Sequence, residues 1–283
     1  MKVLDLFSGI GGFSLGLERT GGFQTIAFCE INAFCRKVLK KHWPGVPIFD
    51  DIKNLNKEKI HETVDVICGG FPCQPFSVAG DRRGANDDRF LWPEMLRLIK
   101  EIRPRWVIGE NVNGFVSMEL DTALADLERE NYEVQPFIIP ACAVDAPHRR
   151  DRCFIIAYSH QDRLQRSASE RSNKKTTAWR GASSSERLRQ GRFIQSPTNP
   201  YSRGLFGASV SNIAREKSSD YCRNSEGNRK NIWPVEPGIC RVVNGVPNRV
   251  DRIAALGNAV VPQIITEIGY TILEVEKNEL QKH

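Results

Sequence analysis

The stretch Lys2-Val3-Leu4-Asp5-Leu6-Phe7-Ser8-Gly9-Ile10-Gly11-Gly12-Phe13 decides how the chain is interpreted. Its apolar start predicts a buried strand over residues 2–7, and its end predicts a helix over residues 13–19. The glycines between them allow a ligand to approach the backbone at a helix N-terminus. The run is an incomplete G-x-G-x-x-G because Ser14 follows, and it lacks the Lys-Ser/Thr of a phosphate-binding loop. A tight turn without a ligand is the alternative.

Short apolar runs alternate with helical patterns as far as residue 158. Strands alternating with helices predict an α/β fold with a mostly parallel sheet covered on both faces. The last two strands have no helix between them, which predicts an antiparallel edge hairpin. The predicted strands are residues 2–7, 24–29, 46–49, 64–68, 105–109, 132–139 and 153–158, and the helices are 13–19, 32–42, 92–102 and 120–130.

The chain changes character in its second half. Residues 159–232 are dominated by serine, arginine, asparagine and glycine, and show neither a helical nor a strand period. They predict a small irregular domain or a partly disordered insert. Apolar patterning returns in residues 233–283, with a final helix over 263–280. We therefore predict one domain from residues 1–158 and 233–283, interrupted by an insert at 159–232.

Charge divides the 283 residues unevenly. The net charge is +6, but the stretch from His148 to Lys230 holds 18 Lys and Arg against 7 Asp and Glu. A basic segment on a mildly acidic body indicates a polyanionic partner, typically nucleic acid. A solvated basic loop is the alternative.

Several classes of protein are excluded by composition. No apolar run approaches the ~18 residues of a membrane span, and Asp5 comes too early for a signal peptide. The eight cysteines form no C-x-x-C pair, so we expect reduced thiols in the cytoplasm. Their spacing predicts no metal site.

A second motif is Gly69-Gly70-Phe71-Pro72-Cys73-Gln74-Pro75-Phe76-Ser77, after the fourth predicted strand. Prolines on both sides of Cys73 fix the backbone and remove N–H donors. A thiol held at the carboxyl end of a parallel strand indicates a nucleophile. A buried structural cysteine is the alternative.

Acidic residues follow three other predicted strands. Glu30 follows the second strand and Asp50-Asp51 the third, which suits a ligand that carries a nucleoside. Glu110, in Gly109-Glu110-Asn111-Val112, follows the fifth and is a candidate general acid near the thiol. A helix cap or a strand-end ion pair is the alternative for Glu110.

Two further motifs are basic or apolar. In His148-Arg149-Arg150-Asp151-Arg152, alternation on an extended chain would point Arg150 and Arg152 to one face, where they suit a phosphate or carboxylate. A basic edge that discourages strand pairing is the alternative. The motif Leu256-Gly257-Asn258-Ala259-Val260-Val261-Pro262 is distinctive but indicates no chemistry by itself.

These five blocks, in this order, resemble the C5-cytosine DNA methyltransferase family over residues 1–158 and about 240–270. The resemblance implies the Rossmann-like fold of S-adenosylmethionine-dependent methyltransferases, with a small irregular DNA-recognition domain. Cys73 would add to carbon 6 of a cytosine flipped out of duplex DNA. Glu110 would contact ring nitrogen 3 and the amine. Arg150 and Arg152 would hold the base and the flanking phosphate.

The resemblance also implies S-adenosylmethionine as the cofactor and no metal. Two departures are Ile31, where the family often has an aromatic residue, and His148, where it usually has glutamine. The residues expected to bind the cofactor are Asp5, Phe7, Gly9, Gly11, Glu30, Asp51, Ile52, Pro72, Leu91, Asn258 and Val260.

The implied partner is double-stranded DNA, with a companion restriction endonuclease. We expect a monomer in the cytoplasm of a bacterial or phage-infected cell, at the nucleoid. Three alternatives stay open: a tRNA cytosine-5 methyltransferase, a catalytically inactive DNA-binding homologue, and a cysteine hydrolase that uses Cys73 with His148. The hydrolase would leave Glu30 and Asp51 unexplained, and intact Cys73 and Glu110 disfavour an inactive homologue.

Overall fold

The computed structural model describes residues 1–72, 90–159 and 247–281. The strands of this part are β1 (Lys2–Leu6), β2 (Gln24–Cys29), β3 (Ile48–Phe49), β4 (Val66–Gly70), β5 (Trp106–Val112), β6 (Tyr132–Ile139) and β7 (Arg152–Ser159). Its α-helices are α1 (Gly12–Glu18), α2 (Ala33–His42), α3 (Trp92–Ile102), α4 (Leu120–Arg129), α5 (Arg249–Asn258) and α6 (Pro262–Gln281). No helix within the described ranges is long and apolar enough to cross a membrane.

The strands form one sheet in the order β3-β2-β1-β4-β5-β7-β6. The first five pair in parallel, and β7 is antiparallel to both β5 and β6. The predicted α/β fold, mostly parallel with an antiparallel hairpin at one edge, is confirmed. At the edge with the hairpin the outermost strand is β6, while β7 is paired on both sides. The alternative that the basic residues before β7 protect a free edge is therefore wrong.

Two of these strands and α-helices differ from the sequence prediction by more than two residues, while β3 and β4 begin two residues later than predicted. β5 continues three residues beyond the predicted end at 109, because Glu110, Asn111 and Val112 pair with β7. Glu110 and Asn111 are polar, so they do not continue the apolar pattern by which a buried strand is predicted from sequence. The helix α5 was not predicted, since Val250, Ile253 and Leu256 lie exposed, Ala255 alone is buried, and its apolar residues form no core-facing stripe.

Alternation along the strands sends side chains to two core layers. Leu4 and Leu6 lie in the layer that α3 and α4 cover, whereas Val3 lies in the layer that α1 and α6 cover. The helices α1 and α6 approach closely at Gly16, where a Cβ atom would lie 2.5 Å from the Pro262 carbonyl oxygen. This packing holds the chain around Val260 against the start of α1.

Candidate active site

The candidate site lies where the carboxyl ends of the parallel strands meet. The glycine loop follows β1, Glu30 follows β2, and Asp51 follows β3. Pro72 follows β4, and Glu110 lies near the end of β5. Residues that are far apart in the chain are thus carried to one edge of the sheet, which is the edge where open α/β folds bind ligands.

The glycine loop after β1 has the backbone that its sequence predicts. Gly9 has a φ of +53° and Gly11 a φ of +84°, both in the left-handed region that favours glycine. A Cβ atom on Gly11 would also lie 2.6 Å from the ring of Trp43. At Gly9 the same position meets no described atom within 4 Å. The loop is therefore packed from below at Gly11 and open at Gly9, where a ligand has room.

Glu30 fastens this loop to the end of β2. Its Oε2 accepts a hydrogen bond from the Gly9 backbone N–H at 2.7 Å, and its Oε1 accepts one from the Asn32 backbone N–H at 2.7 Å. The residue is 8% exposed. A carboxylate has about four acceptor positions, so each oxygen can accept a further bond from a ligand hydroxyl. The geometry fits a ribose.

Asp5 lies fully buried beneath the loop. Its Oδ2 accepts hydrogen bonds from the Ser14 hydroxyl at 2.7 Å and the Ser14 backbone N–H at 3.3 Å. Within the described residues, Oδ1 has no hydrogen-bond partner. Burial raises the pKa of Asp5 to about 7, against the lowering effect of the Ser14 bonds. Asp5 thus holds the start of α1 from inside the core.

Sequence reasoning missed Glu18 and Trp43, which support the loop from below. The Trp43 Nε1–H donates to Glu18 Oε2 at 2.8 Å, and this bond holds the ring against Gly11. The two residues are 25 positions apart and belong to no motif. The local sequence therefore contains no pattern that predicts this contact between Glu18 and Trp43.

The turn that contains Asp51 and Ile52 is held by a residue that was also missed. Asp51 Oδ1 accepts from the Lys53 backbone N–H at 2.9 Å, and Ile52 is buried. Arg97 Nη2 donates to the carbonyl oxygens of Ile52 and Leu55, both at 2.9 Å. Arg97 also pairs with carboxylates on its own helix, at i−3 and i+4. In the sequence, this spacing is typical of a solvated helix face.

Glu110 is paired and largely buried. Its Oε1 lies 3.0 Å from Arg152 Nε, with 11% of the Glu110 side chain exposed. Burial raises the pKa of Glu110, although the positive charges of Arg152 and Arg150 act to lower it. A Cβ atom on Gly70 would lie 2.9 Å from Glu110 Oε2. Glycine at the end of β4 therefore makes room for this carboxylate.

Arg150 and Arg152 donate hydrogen bonds to different groups, although the charge of each acts on Glu110. The φ of Arg150 is +40°, so the chain is not extended there and the argument from strand alternation does not hold. Arg150 Nη2 instead donates to the carbonyl oxygens of Gly257 at 2.7 Å and Ala259 at 2.9 Å. Arg150 thereby ties the start of β7 to the loop between α5 and α6.

The last motif packs against the first. Val260 is buried, and a Cβ atom on Gly12 would lie 2.7 Å from its Cγ1. Asn258 ends α5 and is exposed, as is Pro72, while Leu91 is half-buried. These residues border the same end of the sheet from the side of α6 and from the side of α3.

Cys73 and residues 160–232 of the predicted insert lie outside the described residues. The domain division at 159–232 and the role of Cys73 stay predictions. In the part of the chain that the structure describes, no group of three or more His, Cys, Asp or Glu side chains could hold a metal ion.

Residues 1–225 match the family described as C-5 cytosine-specific DNA methylase. Type II methyltransferase M.Eco47II of Escherichia coli is 34% identical over 162 residues, which are 55% of this chain and 39% of that protein. Type II methyltransferase M.AplI of Arthrospira platensis is 38% identical over 161 residues, which are 56% of this chain and 46% of that protein. The matched region thus spans less than half of these relatives.

A solved structure shares the fold. The crystal structure of a Spodoptera frugiperda DNMT2 mutant is 26% identical and has a TM-score of 0.50. The match covers 56% of this chain and 50% of that one.

Proposed function

Since the chain belongs to the C-5 cytosine-specific DNA methylase family, we propose that it transfers a methyl group to carbon 5 of cytosine in duplex DNA. The methyl donor is S-adenosylmethionine. The cytosine leaves the duplex, because a thiol cannot reach its ring inside the stacked helix.

One observation carries the proposal: the register between β4 and β5 pairs Gly70 with Glu110. Cys73 comes three residues after Gly70, so the strand that leads to the thiol ends beside the buried carboxyl group. A nucleophile and an acid at adjacent strand ends suit addition to an aromatic ring whose nitrogen must gain a proton.

The donor-binding residues are supported by the geometry of the glycine loop. Open space at Gly9, spare acceptor positions on Glu30, and Asp51 at the next strand end fit a ligand with a ribose and a base. Asp5, Phe7, Gly11 and Val260 would shape this pocket from the loop and from below it. Pro72, Leu91, Ile52 and Asn258 would form its walls. When bound, S-adenosylmethionine supplies a methyl group on a positively charged sulfur, which a carbon nucleophile can attack.

The residues of the chain would act in sequence. The Cys73 thiolate forms a bond to carbon 6, and the Glu110 carboxyl group gives its proton to ring nitrogen 3, which makes carbon 5 nucleophilic. After methylation, solvent water takes the proton from carbon 5, the double bond to carbon 6 forms again as Cys73 leaves as a thiolate, and ring nitrogen 3 returns its proton to the Glu110 carboxylate. Arg152 would hold the Glu110 carboxyl group throughout. Arg150 and Arg152 would contact the base and its flanking phosphate, with Arg150 also bonded to the carbonyl groups of Gly257 and Ala259.

We also propose the partners of the enzyme and its location. We propose that the basic residues between His148 and Lys230 contact the DNA backbone, where Lys and Arg give affinity with little sequence information. We propose a companion restriction endonuclease as a further partner, since the relatives are type II methyltransferases. The enzyme would act as a monomer in the cytoplasm.

Transfer of a labelled methyl group tests the proposal. The chain is incubated with labelled S-adenosylmethionine and long unmethylated duplex DNA, and in parallel with tRNA. We expect label on carbon 5 of cytosine in DNA and its loss in Cys73→Ser. Cys142→Ser, which changes a half-buried cysteine outside the motifs, serves as the control and should transfer normally. Label in tRNA alone would refute the DNA substrate, and an active Cys73→Ser would refute the nucleophile.

A further inference from the structure

Asn111, the residue after Glu110, makes a buried side-chain contact that the steps above do not use. It is 5% exposed. Its Nδ2 donates to the Phe71 carbonyl oxygen at 3.1 Å, and its Oδ1 accepts from the Val112 backbone N–H at 2.9 Å. Because the donor and the acceptor of the amide both have partners, its orientation is fixed.

This contact continues the link between β4 and β5 after their backbone pairing has stopped. The last paired residues are Gly70 and Glu110. The next residue is Phe71, and Pro72 after it has no N–H with which to extend the ladder. The Asn111 amide therefore holds the backbone at the point where β4 gives way to the segment with Cys73.

The Phe71 side chain is held as firmly as its carbonyl group. Its ring packs against Trp92 at 5.1 Å and Phe115 at 5.3 Å between centroids. A Cβ atom on Gly109 would lie 3.3 Å from Phe71 Cε1. The chain passes out of the described residues after Pro72 and returns before Trp92. Phe71 and Trp92 thus bring together the two ends of the segment that contains Cys73.

We propose that Asn111 is a positioning residue for Cys73. By fixing the Phe71 carbonyl group, two residues before the thiol, Asn111 sets where the nucleophile stands relative to the carboxyl group of the adjacent Glu110. The proposal rests on the proposed function, in which Cys73 attacks the base. A displacement of 1 Å in such a pair can reduce a rate about 100-fold.

Two substitutions test the hydrogen bond. Asn111→Asp keeps the shape and the acceptor for Val112, but it turns a carboxylate oxygen towards the Phe71 carbonyl group. Asn111→Ser removes the donor without adding charge. Asn131→Asp is the matched control, because Asn131 is exposed in the turn between α4 and β6, at the opposite end of the sheet.

The measurement is single-turnover methyl transfer to duplex DNA, together with donor binding and circular dichroism at the assay temperature. We expect the single-turnover rate constant of both Asn111 variants to fall about 100-fold. Donor affinity and the DNA concentration that gives half the maximal rate should stay within about threefold of wild type, as for a group that acts after binding. Asn131→Asp should match the wild type in every readout.

The possible failures are distinct. A wild-type chain that methylates neither DNA nor tRNA overturns the proposed function and this inference with it. An active wild type with unimpaired Asn111 variants overturns the inference alone. Weakened donor binding, or unfolding of both variants, assigns Asn111 to the fold and also overturns it.

Discussion

Replacing Asp5 by asparagine should change how stability depends on pH. Asp5 is fully buried, and burial raises its pKa from 3.8 to about 7. The folded state therefore holds a proton that the unfolded chain releases at lower pH. Stability from this group is fully present below pH 3.8 and is lost as pH rises through 7. Asparagine keeps an acceptor for Ser14 but carries no ionisable proton.

The magnitude follows from the two pKa values. The difference between 3.8 and about 7 corresponds to about 4 kcal/mol of unfolding free energy once the carboxyl group is ionised in both states. About 2 kcal/mol of this falls between pH 5.5 and pH 8, because the unfolded chain is already ionised at pH 5.5. As the pH rises from 5.5 to 8, the free energy of unfolding of Asp5→Asn should therefore increase by about 2 kcal/mol relative to that of the wild type.

Urea denaturation of both proteins at several pH values between 5.5 and 8 measures the difference directly. Asp121→Asn, which changes an exposed carboxylate on α4, serves as the control and should follow the wild type. The comparison between variants cancels the contribution of other titrating groups. If the curves of wild type and Asp5→Asn run parallel across this range, Asp5 does not carry a strongly raised pKa and the reasoning is wrong.

Three further substitutions test the supports of the site. Gly11→Ala should destabilise the protein by about 1–2 kcal/mol from the left-handed backbone alone, and it should weaken donor binding. Gly114→Ala, whose Cβ would meet open space, is the control and should do neither. Thermal melting measures the stability and calorimetry the donor affinity. Arg97→Met removes two hydrogen bonds to the backbone carbonyl groups of Ile52 and Leu55. Donor affinity should fall about tenfold while kcat is retained, because tenfold is about 1.4 kcal/mol, which lies within the cost of an unpaired carbonyl group. An unchanged affinity would contradict this role of Arg97. Arg152→Gln removes a cation that opposes the raised pKa of Glu110, so that pKa should rise further. If Glu110 acts as an acid, the loss of activity at high pH should move to higher pH in this variant, and an unmoved pH–rate profile would count against the pairing.

The main features of the fold could be predicted because they are local. Strand β2 and helix α3 begin and end where apolar runs and helical spacing place them. The polar end of β5 could not be predicted, since Glu110 belongs to the strand through its pairing with β4 and β7, and Asn111 through its pairing with β7. The motifs likewise placed candidate residues at the carboxyl ends of the strands, because parallel strands end at one edge.

The contacts that support the site were not predictable in the same way. Trp43 under Gly11 and Arg97 over the turn at Ile52 are contacts between distant elements, and neither residue stands in a motif. Arg150 illustrates the reverse problem. Its motif was visible, but one positive φ angle sends its side chain to the carbonyl groups of Gly257 and Ala259.

The most direct test of the central claim is to trap the covalent intermediate. Duplex DNA made with 5-fluorocytosine in place of cytosine presents every target sequence, and its fluorine cannot leave carbon 5 as a proton does. With S-adenosylmethionine present, we expect a stable protein–DNA adduct that mass spectrometry of digested peptides locates at Cys73. An adduct at another residue, or no adduct on DNA whose cytosine-containing counterpart is methylated, would contradict nucleophilic attack by Cys73.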